Sequence, residues 1–230
     1  MKIRTILAVL LIVVPLTATA SDGPLFFWQA EKSGATIHLL GSIHAGKESW
    51  YPLDDRIEQA FAAADTVACE INLADQAVLM KSAALAMQEG MYPADEKLSD
   101  HVSAETWQKL LAVEGLPAPA SMLERMRPGL AATMVAQAML QQAGFDLQQG
   151  VDITLLQRAT AAEQPIVSLE TPEQQVALIF GPDAVIDELL LAEALDESPE
   201  TMLAMLDELV AAWQAGDPEA MDAVYRAEWH

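Results

Sequence analysis

The sequence predicts an α/β protein, with a mixed or partly parallel sheet flanked by helices and interrupted by a mainly helical insertion. Three observations predict it. Apolar runs of strand length recur at Leu25–Gln29, Thr36–Leu40, Thr66–Ile71 and Pro165–Leu169. A helical pattern separates the second run from the third, as in a crossover unit with parallel strands. Between Leu73 and Gln149 the apolar spacing is almost wholly three and four residues, so 73–149 reads as a helical insertion in one domain spanning 21–230.

The chain opens as an export signal does. Met1-Lys2-Ile3-Arg4 is a short basic head, Thr5 to Leu16 is apolar, and Ala18-Thr19-Ala20 is a small-x-small cleavage site. The apolar run is shorter than the roughly 20 residues of a spanning helix, so a cleaved signal peptide over 1–20 is expected rather than an anchor. The mature protein is then expected in the periplasm or secreted, with no stable membrane anchor.

The elements follow in order. Leu25–Gln29 and Thr36–Leu40 read as strands joined by a turn at Lys32-Ser33-Gly34. Asp54 to Ala64 reads as a helix, with Ile57, Ala60, Phe61 and Ala64 on one side. Thr66–Ile71 is a short strand. Helices are expected at Leu73–Glu89, Ser103–Glu114, Ser121–Arg125 and Gly129–Ala143, the third opened by a capping box, Ser121 to Glu124. The α/β order resumes with a helix over Asp152–Ala162 and a strand over Pro165–Leu169. Thr171-Pro172-Glu173-Gln174 starts another helix, with a capping box and proline at its first position. Asp183–Asp196, Pro199–Trp213 and Pro218–Ala227 read as helices.

Composition limits the partners. Cleavage would remove Lys2 and Arg4 and no acids, leaving 10 basic against 34 acidic residues, a formal charge of −24. That surface repels nucleic acid and anionic lipid and excludes both as partners. The single cysteine, Cys69, cannot form an intrachain disulfide, and in an apolar strand it reads as an inert core thiol.

Candidate chemistry gathers at strand ends. Gly41-Ser42-Ile43-His44 closes one predicted strand, Glu70 closes a second, and Glu170 follows a third. Open parallel sheets place their sites outside the carboxyl ends of strands, where these side chains would converge. Gly41 would allow a close approach, His44 offers a ligand or general base, and the carboxylates bind metal or move a proton. Each residue also has a plainer role. His44 can satisfy core hydrogen bonds, Glu170 can complement a helix N-terminus, and Asp152 is most simply a helix N-cap. His38 lies about 20 Å from His44 if the strand is regular. His101 reads as surface, and His230 is the terminus.

These stretches together resemble the TraB/GumN family, which also takes in Tiki-type metalloproteases. The resemblance rests on Leu39–His44, Ala64–Asn72, Gly150–Leu156, Pro165–Gln175 and Trp213–Asp217, in family order across most of the chain. It implies a metal-dependent, peptidase-like site. His44 would take the place of the GxxH histidine, and Glu70 that of the strand-end glutamate. Gly150 and Asp152 match the glycine–aspartate landmark, and Glu170 matches the later acid. His44, Glu70 and Glu170 are thus the expected catalytic groups, and His44, Glu70 and Asp152 the expected metal ligands. Gly41, Asn72 and Gly150 stand beside them as supporting positions. A divalent ion, manganese or zinc, would polarise a peptide carbonyl and activate water.

One departure is visible. Family members continue past the Trp-x-x-Gly-Asp region into an Arg-Asn segment and a second GxxH, and neither is present here. The domain is therefore expected to be C-terminally incomplete, with a thin ligand set and an uncovered sheet edge. Two functions follow from the resemblance. One is a metal-dependent hydrolase acting on peptides. The other is a non-catalytic protein that holds a peptide or protein partner in the same cleft.

Overall fold

A computed structural model describes residues 25–180, 184–196 and 198–227. The expected signal peptide and His230 lie outside the described residues. What is described is a mixed α/β arrangement, dominated by helices, with two separate two-stranded sheets.

Strands β1 (Phe27–Lys32) and β2 (Ala35–Leu40) form an antiparallel hairpin in which Phe27 faces Leu40 and Lys32 faces Ala35. Ser33 and Gly34 both have positive φ, 52° and 81°, as a two-residue turn matched to strand twist requires. Beyond β2 the chain runs irregularly to α1 (Asp55–Ala63). That helix begins at Asp54, whose carboxylate accepts from the Arg56 backbone N–H and from the Arg56 guanidinium. The guanidinium bond holds the Asp54 carboxyl down to about 2. Its folded value is depressed, so its contribution is present above the ordinary value of 3.8 and is lost as pH falls through about 2. Asp54→Ala should cost about 1 kcal/mol in urea unfolding at neutral pH. The difference from wild type should shrink in the same experiment near pH 2.

Strand β3 (Val67–Cys69) follows, then α2 (Gln76–Glu89), α3 (Ala104–Ala112), α4 (Ala120–Leu123), α5 (Pro128–Gln142) and α6 (Val151–Ala161). Strand β4 (Ile166–Ser168) then pairs with β3 in parallel, Val67 facing Ile166 and Cys69 facing Ser168. The expected crossover from β2 to a parallel β3 does not form. Among the described residues β2 pairs with β1, and the crossover that allows a parallel pair is the whole path from α2 to α6.

Helices α7 (Pro172–Ile179), α8 (Ala184–Asp196), α9 (Pro199–Ala215) and α10 (Pro218–Ala227) complete the order. The Thr171 box forms as expected: its hydroxyl accepts from Gln174 N–H while the Gln174 side chain accepts from Thr171 N–H. The Ser121 box does not form. Helix α4 starts one residue earlier, after Pro119, so Ser121 is already helical and cannot cap.

Two apolar clusters hold these elements. Leu98, Leu110, Leu123, Met126, Val135 and Leu191 form a helical core within which α5 packs on α8. A smaller cluster of Leu53, Ile57 and Val151, joined by Phe27, Leu40, Trp50 and Trp213, lies between the hairpin, α1 and α6. Arg158 of α6 reaches Glu58 of α1 at 2.5 Å and lies over the Phe61 ring, which fixes the second cluster from its far side. No helix among the described residues is long and apolar enough to cross a membrane.

Candidate functional site

His44 lies four residues beyond the end of β2, in a bend rather than on the strand as expected. Its position is set by a clamp between segments 41–46 and 146–151. Val151 N–H donates to Ile43 O at 2.8 Å, and Gly46 and Asp146 exchange two backbone bonds at 3.0 and 2.9 Å. Tyr51 Oη donates to the carbonyls of Gln149 and Gly150 at 2.8 and 3.1 Å. Trp213 Nε1 donates to Gly41 O at 2.8 Å.

Two glycines make that closeness possible through lack of volume. A Cβ on Gly46 would stand 2.1 Å from Gln149 O, and one on Gly150 would stand 2.4 Å from His44 O. At Gly41 the nearest atom to an added Cβ would be Phe26 Cβ, 3.0 Å away.

The clamp brings His44 to the first turn of α6. Asp152 is the second residue of that helix, and Gly150, not Asp152, occupies the N-cap. The Asp152 carboxylate instead meets His44, with Oδ2 2.9 Å from Nδ1. When that carboxylate accepts, Nδ1 carries the imidazole proton and Nε2 is the basic nitrogen. The His44 side chain is 67% exposed and that of Asp152 only 26%. The hydrogen bond to Asp152 raises the His44 pKa above its ordinary 6.5; burial opposes this, and the charges of Asp152 and Glu70 add to the rise. A raised folded value means the stabilisation is full below 6.5 and is lost as pH climbs through the raised value.

The other expected site residues fall into place unevenly. Glu70 and Glu170 are neighbours at the ends of β3 and β4, where Glu170 N–H donates to Glu70 O at 2.8 Å. Glu70 acts on His44 through its charge, whereas the Glu170 carboxylate accepts from Gln175 Nε2 at 2.5 Å. Asn72 closes the turn after β3, its N–H donating to Ser168 Oγ and its Oδ1 accepting from Ala74 N–H. His38 is apart from the site, stacked on Phe27 with Nε2 3.2 Å from Gln29 Oε1. Burial pushes the Cys69 thiol up, which keeps it protonated.

Two features of this arrangement suit a cation. A carboxylate on Nδ1 leaves Nε2 open, as in histidines that bind metal, and Asp152 Oδ1 is buried without a hydrogen-bond partner. The donor number does not suit one. Among the described residues no group of three or more His, Cys, Asp or Glu lies where it could hold a metal ion. Asp152 is aimed at the imidazole, not beside it as a co-ligand. Among the described residues His44, Glu70 and Asp152 do not stand as a group of three that could hold a metal ion, and the side-chain contact the fold makes among them is that of His44 with Asp152.

Gly46 and Tyr51 were not marked by the sequence. Their role depends on a partner segment about a hundred positions away, and neither lies in a recognisable pattern. Trp213 did carry a signal, as the first residue of the Trp-x-x-Gly-Asp landmark.

A family model described as the TraB/PrgY/gumN family matches residues 26–229. Similar proteins include the uncharacterized protein YbaP of Escherichia coli (strain K12), 27% identical over 178 residues, covering 77% of this chain and 58% of the relative. YbaP of Shigella flexneri is also 27% identical, over 177 residues, covering 76% of this chain and 58% of its own. The chain thus spans 58% of the length of these curated relatives. No solved structure matches it.

Proposed function

The chain belongs to the TraB/PrgY/gumN family, and on that premise we propose that His44 and Asp152 form the acid/base centre of a peptidase-like hydrolytic site in an exported protein. The observation that carries the proposal is the 2.9 Å bond between Nδ1 of His44 and Oδ2 of Asp152, two residues 108 positions apart. It leaves Nε2 of an exposed imidazole as a free base.

The chemistry is that of a general base. Nε2 takes a proton from water as its oxygen bonds to the peptide carbonyl carbon. The same nitrogen then returns a proton to the leaving amine as the C–N bond breaks. Asp152 keeps the ring in the useful tautomer and stabilises the transient imidazolium, which the charge of Glu70 also favours. No step is routed through a metal, since among the described residues no three donors lie together. The basic head, apolar run and small-x-small site of residues 1–20 support a periplasmic or secreted location.

A peptide library presented to wild type and to His44→Ala, each with a chelator or with added manganese or zinc, tests the reading. Cleavage by wild type should fall about 100-fold or more in His44→Ala. Equal cleavage by both, or none by either under any condition, would refute it. A second reading, a non-catalytic protein that binds a peptide or partner, is favoured by one observation. Trp28, Ile37 and Leu39 present an apolar outer face on the hairpin, 48%, 60% and 58% exposed. Saturable peptide binding without cleavage, unchanged in His44→Ala, would select that reading.

A further inference from the structure

A cavity of about 210 Å³ opens beside the small cluster that supports His44, between the hairpin, α1 and the end of α9. Its walls include Leu40, Trp50, Leu53, Ile57 and Trp213. The hollow is open to solvent on one side and lined mainly by apolar side chains, so a guest can enter it from solution and bury apolar surface there. Dry apolar cavities of about 150 Å³ accept a benzene ring, so this one has room for an aromatic or branched aliphatic side chain.

We propose that this cavity is the side-chain recognition pocket of the His44 site, and that it takes an aromatic or branched apolar residue of the peptide. The proposal rests on the peptide-directed reading of His44 and names the substrate class of that same site.

Connectivity supports it first. Leu40 lines the cavity and Gly41 follows directly, its carbonyl held by the Trp213 indole that forms another wall. His44 stands four residues beyond Leu40, a reach of at most about 14 Å, the span of about four residues of an extended peptide. A residue seated against the stacked tryptophans thus leaves a nearby peptide bond of the same chain within reach of Nε2.

Shape and charge narrow the choice. Trp50 and Trp213 are stacked, with ring centroids 5.7 Å apart and an interplanar angle of 30°, and Phe145 meets Trp50 edge-on at 6.0 Å. This aromatic wall favours a flat or branched apolar guest. The acid at the cavity, Asp54, is already engaged by the Arg56 guanidinium at 2.7 and 2.9 Å. Its charge is therefore compensated, and the pocket offers a lysine or arginine side chain no unpaired anion there. Despite the chain's large net negative charge, the pocket should select apolar over basic residues.

Indole N–H signals in ¹H–¹⁵N NMR of the full chain provide the test, because the Trp213 signal reports the bond to Gly41. N-acetyl-phenylalaninamide should shift the Trp50 and Trp213 signals saturably and leave Trp107, in α3, unmoved. N-acetyl-lysinamide should bind about tenfold or more weakly. Ile57→Phe and Leu53→Phe, two independent fillings of the cavity, should each remove the shifts, while His44→Ala should keep them. Absence of shifts in wild type, or shifts unchanged in both filled variants, would overturn the pocket. Shifts that persist in a chain that cleaves no peptide would leave the pocket standing and reject the hydrolytic reading instead.

Discussion

Replacing Asp152 by asparagine should reduce peptide hydrolysis by about 100- to 10,000-fold, with most of the loss in kcat. The amide keeps the size of the carboxylate but can present its NH2 group to Nδ1. It would then favour the tautomer with the proton on Nε2, where the base is needed. It also removes the carboxylate acceptor and the charge that hold the His44 pKa up. Wild-type activity should rise with pH through a limb above 6.5, since only neutral His44 accepts a proton. In Asp152→Asn any residual activity should have its limb at lower pH. A fall in activity with an unmoved limb would mean that Asp152 acts on the fold and not on the imidazole.

The largest expected effect on stability lies at Gly46. Alanine there would place its Cβ 2.1 Å from Gln149 O and 2.9 Å from Gln149 C, both backbone atoms that cannot step aside as a flexible side chain would. Relief requires opening the pair of hydrogen bonds between Gly46 and Asp146. Overpacking costs about 1–3 kcal/mol and each of the two lost bonds about 1 kcal/mol, so Gly46→Ala should destabilise by about 3–5 kcal/mol. In a chain of this size that lowers Tm by about 10 °C in a thermal scan. Gly34→Ala is the contrasting case. It has open space around it and only a positive φ of 81° to strain, and should cost about 1 kcal/mol. Equal losses at the two positions would show that the 41–46 and 146–151 segments are not tightly clamped.

The sequence made local features legible and left distant pairings dark. Asp54 with its helix, the Thr171 capping box and the Ser33-Gly34 turn depend on neighbours within a few residues, and all three form. The β2–β3 crossover that the sequence predicts does not form, because pairing partners are chosen across long stretches. β4 pairs with β3 although the helices from α2 to α6 separate the two in the chain. Local rules also failed where another group outcompeted them, once nearby and once far along the chain. Ser121 lost its capping role to a start at Pro119, and Asp152 gave up its own to His44 across 108 positions.

The site was legible as a set of residue types more than as a geometry. His44, Asp152 and Gly150 were each marked, and the fold brings them into contact. The convergence expected at three strand ends is only partial: Glu70 and Glu170 adjoin each other, while His44 finds its carboxylate on a helix. Family pattern identified Asp152, but its aim at Nδ1 depends on the clamp made by Gly46, Tyr51 and Val151. None of those contacts has a sequence period.

The reading of His44 as a base prepared by Asp152 is tested most directly by an NMR titration of the His44 ring in wild type and Asp152→Asn. The wild-type imidazole should titrate above 6.5, and the variant should fall back toward that ordinary value. The same titration midpoint in both proteins would contradict it.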